Sequence, residues 1–531
     1  MFVLNKCKNR EKNDFNRGDL CNNTVKFYLF TMGYKRRGKS VKNKINSPST
    51  LLNPDLDVLI EEILEKSKIP GAAISLYYKG RKTIKTCGIK KNNAGDPITA
   101  DTAFDVGSCS KAYVATAIAM LVSDGQINFD DPIYKYIPEI NLDTPEITQQ
   151  ITIRDLLCNR TGLKRQIPVE SFANTNIRIV DILKRIGSLD RVHPFREGYV
   201  YFNPGFMANS LVVERVSGLP YEDFLAQYLF QPLNMKHTAS GLKIFDDLND
   251  RAEGHCAKNR QPITEEIPVF DNWQGAAGIY TCATDVLKWI EFHLKKGRIN
   301  NRQLIKAEIL EEIYRPHNII PDGECKLIHR PPEANSCHYG MGWWSTEFQG
   351  KRLVQHAGET FGWRAHIALL PDQDIGVSVM LNMAKGRHQV IAYSILETCL
   401  TGECRNWTDI AVEQEKLSAD KMTALLNDIF PYDDQIGPSV ALSDFAGIYS
   451  HAACGQVRVS LQEEKLKLEV MDGRVWDMLL THLGNNVFQS DFIQPASSDF
   501  LPTSLRVRFN LRNGYPSQLQ TIDTIFQRKN L

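Results

Sequence analysis

Between Ser108 and Ser123 the chain reads Ser-Cys-Ser-Lys-Ala-Tyr-Val-Ala-Thr-Ala-Ile-Ala-Met-Leu-Val-Ser, and after the lysine it is almost continuously apolar. A helix that is apolar all round has no side to offer water, so it belongs in the middle of a domain with other layers around it. It stops at Asp124-Gly125, and no other stretch approaches the ~18 uninterrupted apolar residues a membrane-spanning helix needs. The 531 residues also exceed the roughly 250–300 at which a single core stops growing, so more than one domain is expected.

The layers are legible on either side of that helix. Leu56, Leu59, Ile60, Ile63 and Leu64 recur at helical spacing after the start signal Asn53-Pro54-Asp55. Ala72 to Tyr78 and Lys82 to Ile89 read as two strands joined by a hairpin turn at Lys79-Gly80-Arg81. From about Asp130 to Arg260 strand signals fade and helical segments such as Asn209 to Val216 and Tyr221 to Leu229 dominate, as in a helical subdomain inserted into a sheet domain. Strands return at Arg352 to His356, Arg364 to Leu370 and Ile375 to Leu381, with the turn Pro371-Gln373-containing segment making the last two antiparallel, and His388 to Leu400 reads as a closing helix. Residues 401–439 are polar and acidic, a linker with a short helix. After them Val457, Val459 and Leu461, then Leu466, Leu468 and Val470, then Leu505, Val507, Phe509 and Leu511 alternate with polar residues, the period of half-buried strands. The expected division is an N-terminal extension over 1–50, a sheet-and-helix domain over 51–400, the linker, and a small β domain over 440–531.

Charge and cysteine usage bound the setting. The net charge is +1, which gives no global reason to expect nucleic acid or an acidic membrane as partner. Residues 1–48 nevertheless carry twelve Lys or Arg against three acidic residues, hence +9, leaving −8 for the remainder. That head reads as a solvated, disordered extension. A mitochondrial leader is the other reading, weakened by Glu11, Asp14 and Asp19. The apolar patch Val25 to Met32 is interrupted by Lys26 and lies too late for a signal peptide. Twelve cysteines without a regular framework read as free thiols of a reducing compartment such as the cytoplasm, and Cys325 and Cys337 would pair only in an oxidising one. Asn22, Asn159 and Asn406 begin glycosylation tripeptides. Sequence alone leaves the compartment open.

Three short motifs carry chemistry, and none is decisive by itself. In Ser108-Cys109-Ser110-Lys111 the first and last residues are three apart, so a helix brings hydroxyl and amine to one face. Desolvation and the positive helix terminus both favour a neutral amine there, one able to accept a proton. Ser418-Ala419-Asp420-Lys421 matches the same pattern in the linker, so the setting must decide: Phe104-Asp105-Val106-Gly107 leads into Ser108 and a buried helix follows. In Tyr201-Phe202-Asn203 a phenol can relay a proton and an amide can bind a carbonyl, although a Tyr and Phe packing in a loop explains the residues too. In His356-Ala357-Gly358, at a strand end, the glycine would let a substrate lie close to the strand edge, while His338-Tyr339-Gly340 matches as well.

Order and spacing do more than any one motif. The stretch 51–400 resembles the class C β-lactamase-like branch of the serine β-lactamase and penicillin-binding-protein superfamily, a branch that includes esterases, D-amino-acid peptidases and animal β-lactamase-like proteins. The resemblance rests on Ile69-Pro70-Gly71-Ala72, Phe104 to Lys111, Asp131-Pro132, Tyr136-Ile137-Pro138 and Ile151 to Leu157. Gln231 to Met235, Ala276-Ala277-Gly278-Ile279-Tyr280 and Tyr339-Gly340-Met341-Gly342-Trp343 extend it in the same order. It implies an α+β fold, an antiparallel sheet flanked by helices with a helical subdomain. It also implies Ser108 as nucleophile, Lys111 as its base and Tyr201 as a partner in proton transfer to the leaving group. Asn203 and His356 would bind substrate beside Gly358, and the backbone N–H groups of Ser108 and Glu359 would form the oxyanion hole, a donor there being worth ~3 kcal/mol. The reaction implied needs neither metal nor cofactor. Phe445-Ala446-Gly447-Ile448-Tyr449 and the alternation after it look like the lipocalin-like barrel some members carry.

Two departures qualify the resemblance. Lys-Thr-Gly, the triplet that true β-lactamases of this type carry where His356-Ala357-Gly358 stands, occurs nowhere in the chain, so a permanent cation for a substrate carboxylate is missing. Asn159-Arg160-Thr161-Gly162 replaces the family's usual His-x-Ser-Gly, at a position with no catalytic part. Other enzyme signatures are absent: no Gly-x-Ser-x-Gly, His-Glu-x-x-His or Gly-x-Gly-x-x-Gly. A hydrolase of a small ester, amide or peptide is the leading expectation. A true β-lactamase or D-Ala peptidase would need another cation in the site, and a silent scaffold with this fold would not need Ser108, Lys111 and Tyr201 together.

Overall fold

The computed structural model describes residues 50–165, 177–241, 245, 248–258, 261–264, 271–471, 477–492, 506–522 and 524–529. The basic head, with Asn22 and the Val25 to Met32 patch, lies outside the described residues, as does Leu505.

Asn53 caps helix α1 (Pro54–Lys66), its side chain accepting the Leu56 N–H at 2.8 Å with a proline in the first turn, so the helix begins where the start signal places it. Strands β1 (Gly71–Tyr78) and β2 (Arg81–Gly88) form a hairpin whose two turn residues, Lys79 and Gly80, both have positive φ. Six more strands complete the sheet: β3 (Asn318–Ile320), β4 (Cys337–Tyr339), β5 (Trp344–Phe348), β6 (Lys351–Thr360), β7 (Trp363–Leu370) and β8 (Ile375–Leu381). Their spatial order is β3-β4-β5-β6-β7-β8-β1-β2, every neighbouring pair antiparallel, with β1 against β8 in the register Ala72↔Leu381 to Tyr78↔Ile375.

Both faces of the sheet are covered, which is why β1 is buried at nearly every position instead of alternating. Ala72, Ile74 and Leu76 pack with α1 and with helix α5 (His388–Thr401) on one face, while Ala73 and Tyr77 face the larger core on the other. That core holds helix α2 (Ser110–Ser123), thirteen of whose fourteen residues are buried, together with α3 (Asn203–Ser217) and α4 (Ala283–Leu294). Tyr113 of α2 stacks on Trp289 of α4 at 4.1 Å, and Ser75 of β1 donates to the Ala283 carbonyl at 2.9 Å. Of the stretch Asp130 to Arg260, expected to be helical, residues 130–230 are mainly so, although α3 starts at Asn203 rather than near Asn209, whereas Ala239–Ser240 and His255–Lys258 are short strands.

The expected linker holds α6 (Trp407–Ile429), a 23-residue helix rather than a short one. Trp407 anchors it, ring against ring with Tyr393 at 4.9 Å, and its indole N–H donates to Glu397 at 2.9 Å. Most of its length is exposed, including the second Ser-x-x-Lys at Ser418 to Lys421. The chain then forms a closed antiparallel barrel of eight strands, from Gly447–His451 to Ile525–Arg528, sealed by pairing of Tyr449 with Arg528. Val457, Val459, Leu466, Leu468, Val507 and Phe509 point into it, as their alternation requires, and Phe445 enters its interior between Phe509 and Phe488.

One tertiary contact positions everything near Ser108. The end of β6 lies directly against the turn Val106-Gly107-Ser108: a Cβ on Gly358 would overlap the Val106 carbonyl and stand 3.1 Å from the Ser108 nitrogen, and a Cβ on Gly107 would stand 2.8 Å from the Glu359 nitrogen. The glycine of His356-Ala357-Gly358 therefore admits this chain's own backbone at the turn. Gly107 also has φ +50, so it carries both demands at once. Beneath the turn, Asp105 sits in a two-residue strand paired with Ile279–Thr281, fully buried, and its carboxylate accepts the Gly107 N–H at 2.7 Å.

Two outcomes follow from this packing. Gly358→Ala should lower the free energy of unfolding by about 3 kcal/mol or more in a denaturant titration, because backbone and not a flexible side chain blocks the added methyl. Burial pushes the Asp105 carboxyl up to about 7, opposed by the Gly107 and Thr360 hydrogen bonds. The folded state then keeps a proton that the unfolded chain releases near 4, so Asp105 favours folding below that point and loses its contribution as pH rises through 7. The stability of Asp105→Asn relative to the parent should rise by roughly 2–4 kcal/mol between about pH 4 and pH 8, and a pH-independent difference would contradict the assignment.

Candidate active site

Ser108 lies in a single 3-10 turn, Gly107–Cys109, that runs into α2. All four residues of the motif are used. The Cys109 thiol donates to the His356 carbonyl at 3.3 Å and the Ser110 hydroxyl accepts the Ile279 N–H at 3.0 Å, so the turn is held to β6 on one side and to the Ile279–Thr281 strand on the other. Ser108 keeps part of its surface open, while Lys111 is buried. The Lys111 amine donates to the Ser108 hydroxyl at 3.0 Å and to the Ala276 carbonyl at 2.8 Å. It lies 4.8 Å from the centre of the Tyr201 ring and 5.3 Å from that of Phe206. A lysine fixed by two hydrogen bonds and two aromatic faces has little of its usual rotamer freedom left.

Tyr201 and Asn203 arrive from the helical subdomain. Tyr201 is partly exposed, and Asn203 is buried in the first turn of α3. What holds this segment is the loop to which no catalytic part was attached. Buried Asn159, with φ +57, accepts the Phe202 N–H on its side chain at 2.9 Å and the Val200 N–H on its carbonyl at 3.2 Å. Asp155, fully buried at the start of the preceding helix, accepts hydrogen bonds from Arg160 and Arg196, which brackets the loop and the approach to Tyr201. Asn159 is thus structural and too enclosed to accept a glycan, whereas Asn406 is exposed at the cap of α6.

His356 stands at the back of the site with no exposed surface. Its Nδ1 lies 2.7 Å from the Ala357 carbonyl and its Nε2 3.1 Å from the Tyr339 hydroxyl. This pairing assigns the proton to Nδ1 and leaves Nε2 to accept from the phenol. The ring stacks on Trp344 at 4.1 Å and lies 6.5 Å from the Tyr201 ring. Burial, and after it the nearby Lys111 charge, hold the imidazole far below its ordinary range, so it is neutral. Tyr339, in the sequence a landmark of the resemblance without a role of its own, is the hub of this wall: Tyr199, Tyr201, Phe206, Trp344 and His356 all meet its ring within 6.5 Å.

A cation does reach the mouth of the site. The Arg165 guanidinium lies over the Tyr201 ring at 5.5 Å, on an exposed residue for which a single polar loop position carries no sequence signal. Glu359 is partly exposed, 3.6 Å from the buried guanidinium of Arg364. Its backbone nitrogen and that of Ser108 both lie at the close approach of β6 to the Gly107–Cys109 turn.

With this geometry in hand, comparison with known proteins is informative. The Beta-lactamase family model matches residues 56–400, the span that carries Ser108, Lys111, Tyr201, Asn203, His356 and Glu359. The unguisins hydrolase ungD of Aspergillus violaceofuscus is 24% identical over 81% of this chain and 79% of its own. The octameric penicillin-binding protein homologue of Pyrococcus abyssi superposes with a TM-score of 0.57 at 20% identity, over 89% of this chain and 99% of that one. A class C β-lactamase superposes with a TM-score of 0.54 at 19% identity, over 67% of this chain and 99% of its own. The longer superposition takes in residues beyond the sheet domain, and the shorter one is about the span of the family match. From the run of motifs, the fold and the extent of these matches, the chain belongs to the beta-lactamase family.

Proposed function

We propose that the chain is a serine hydrolase that cleaves a small ester, amide or peptide through an acyl-enzyme on Ser108. The observation that carries the reading is the Lys111 amine, 3.0 Å from the Ser108 hydroxyl and oriented by the Ala276 carbonyl in a buried setting. A neutral amine at that distance takes the hydroxyl proton as Ser108 attacks the acyl carbon. Charge that develops on the carbonyl oxygen meets the Ser108 and Glu359 N–H groups, which the bare Gly107 and Gly358 allow to sit side by side. Tyr201, over the lysine, passes the proton on to the leaving group, and water later releases the acyl group by the reverse route. Asn203 orients the acyl carbonyl. A relative named for hydrolysing unguisins supports a hydrolase, without fixing this chain's substrate.

His356 serves this reaction from behind Tyr201. As a neutral ring accepting from Tyr339 it gives no charge to a substrate carboxylate, which disfavours efficient β-lactam hydrolysis. Arg165 keeps a second reading open, a substrate with its own carboxylate, because this exposed residue holds its guanidinium 5.5 Å from the centre of the Tyr201 ring.

Steady-state hydrolysis of a nitrophenyl ester and of a D-peptide amide tests the reading. Ser108→Ala and Lys111→Ala should each lower kcat by roughly 10³-fold or more with folding intact, and parent-like rates in Ser108→Ala would overturn it. His356→Gln should lower kcat yet leave the acid limb of kcat/KM in place from about pH 5 to pH 8, since a histidine already neutral there loses no charge in that window. Arg165→Ala should raise KM about tenfold for a carboxylate-bearing substrate and leave a neutral ester unaffected; equal effects on both would remove the second reading.

A further inference from the structure

Cys325 and Cys337 meet at the edge of the main sheet, away from Ser108. Cys337 begins β4, directly opposite Ile320 of β3, and the Cys325 thiol donates to the carbonyl of that same Ile320 at 3.7 Å. The turn that brings it back is closed by the Cys325 N–H on the Pro321 and Asp322 carbonyls, at 3.2 and 3.3 Å. Both cysteines thus stand against Ile320, one through its strand pairing and the other through its thiol. From this geometry we propose that Cys325 and Cys337 are a site of reversible oxidation, closing to an intramolecular disulfide in the folded protein.

The two cysteines differ as such a pair should. Cys325 is half-buried and reachable from solvent, and Cys337 is buried. The neighbouring Cys337 thiol, with help from the Arg330 guanidinium and against Asp322 and Glu324, draws the Cys325 thiol below its ordinary range while the Cys337 thiol is held above it. By contrast, burial pushes the thiols of Cys87 and Cys399 up to about 11 and about 12. Oxidation by a peroxide runs in two balanced steps. The Cys325 thiolate attacks one peroxide oxygen, breaking the O–O bond, leaving a sulfenic acid and releasing hydroxide. The Cys337 sulfur then attacks the sulfenic sulfur, the S–S bond forms, the S–O bond breaks and water leaves. Two thiols and one peroxide give a disulfide and two waters, and a small dithiol reverses it.

The crosslink would close the loop 325–337, which is tied to the back of the site. The Cys337 thiol donates to the His329 carbonyl at 3.5 Å, and the Gln355 side chain donates to the same oxygen at 2.8 Å. The His329 ring meets Trp344 at 4.7 Å, and Trp344 is the ring on which His356 stacks.

The test uses the full chain, treated with hydrogen peroxide and then with dithiothreitol, and read by intact mass and by non-reducing peptide mapping. Native protein should lose two hydrogens, show the Cys325–Cys337 crosslink, recover its mass with dithiothreitol, and melt a few degrees higher in the crosslinked form. Cys337→Ser should stop at a sulfenic acid on Cys325 that dimedone traps, and Cys325→Ser should form no crosslink at Cys337. Circular dichroism of both variants separates loss of the crosslink from loss of folding. Native protein in which dimedone labels Cys325 with Cys337 intact, or in which the crosslink appears only after unfolding, would overturn the proposal.

Discussion

The bare backbone contact between Gly358 and the turn Val106-Gly107-Ser108 sets the rest of the site. Two segments some 250 positions apart approach so closely that neither can carry a Cβ at the point of contact, and Gly107 must also take a left-handed φ. Because that contact fixes the backbone of both segments, it brings the Ser108 and Glu359 nitrogens to one place and sets the phase at which α2 starts. The phase places Lys111 one turn beyond Ser108. The buried face of α2, stacked on Trp289 through Tyr113, then keeps the helix from rotating that lysine away. Rigidity at the nucleophile is thus a property of the sheet and the core helix together, not of the short motif.

Charge is handled sparingly behind the nucleophile. The buried Lys111 amine is surrounded by rings and neutral imidazoles: His329, His356, His366 and His388 are all held below their ordinary range by burial, His329 and His388 to about 3. Gln355 threads this layer, accepting from His366 and donating to the His329 carbonyl and the Tyr393 hydroxyl. In such surroundings a carboxylate or ammonium without a partner would be costly, which gives a physical reason for a neutral histidine to stand where relatives with Lys-Thr-Gly place a cation. The exposed Arg165 brings a guanidinium to within 5.5 Å of the Tyr201 ring centre.

Much of this was legible in the sequence where the signal is local. The caps and breaks around α1, the hairpin at Lys79-Gly80, the strands β7 and β8, the all-apolar α2 and the alternation in the barrel each follow from patterns within a dozen residues. Ser108 with Lys111 was legible because helical spacing alone brings the pair together. What was hidden depends on contacts between distant segments. The purpose of Gly358, the Ala276 carbonyl that orients Lys111, the Asn159 loop beneath Tyr201 and the aromatic hub at Tyr339 have no periodicity to read. The length of α6 was missed for another reason: its exposed faces are polar almost throughout, so amphipathic spacing gives little signal even though Trp407 anchors it firmly.

The most direct measurement is intact-mass labelling of the full chain by a fluorophosphonate that phosphonylates activated serines, beside Ser108→Ala and Lys111→Ala. The account predicts one adduct, mapped to Ser108, absent from Ser108→Ala and formed far more slowly in Lys111→Ala. An adduct that persists in Ser108→Ala, or well-folded parent protein that takes up neither this reagent nor a smaller acylating one, would contradict the assignment of Ser108 as an activated nucleophile.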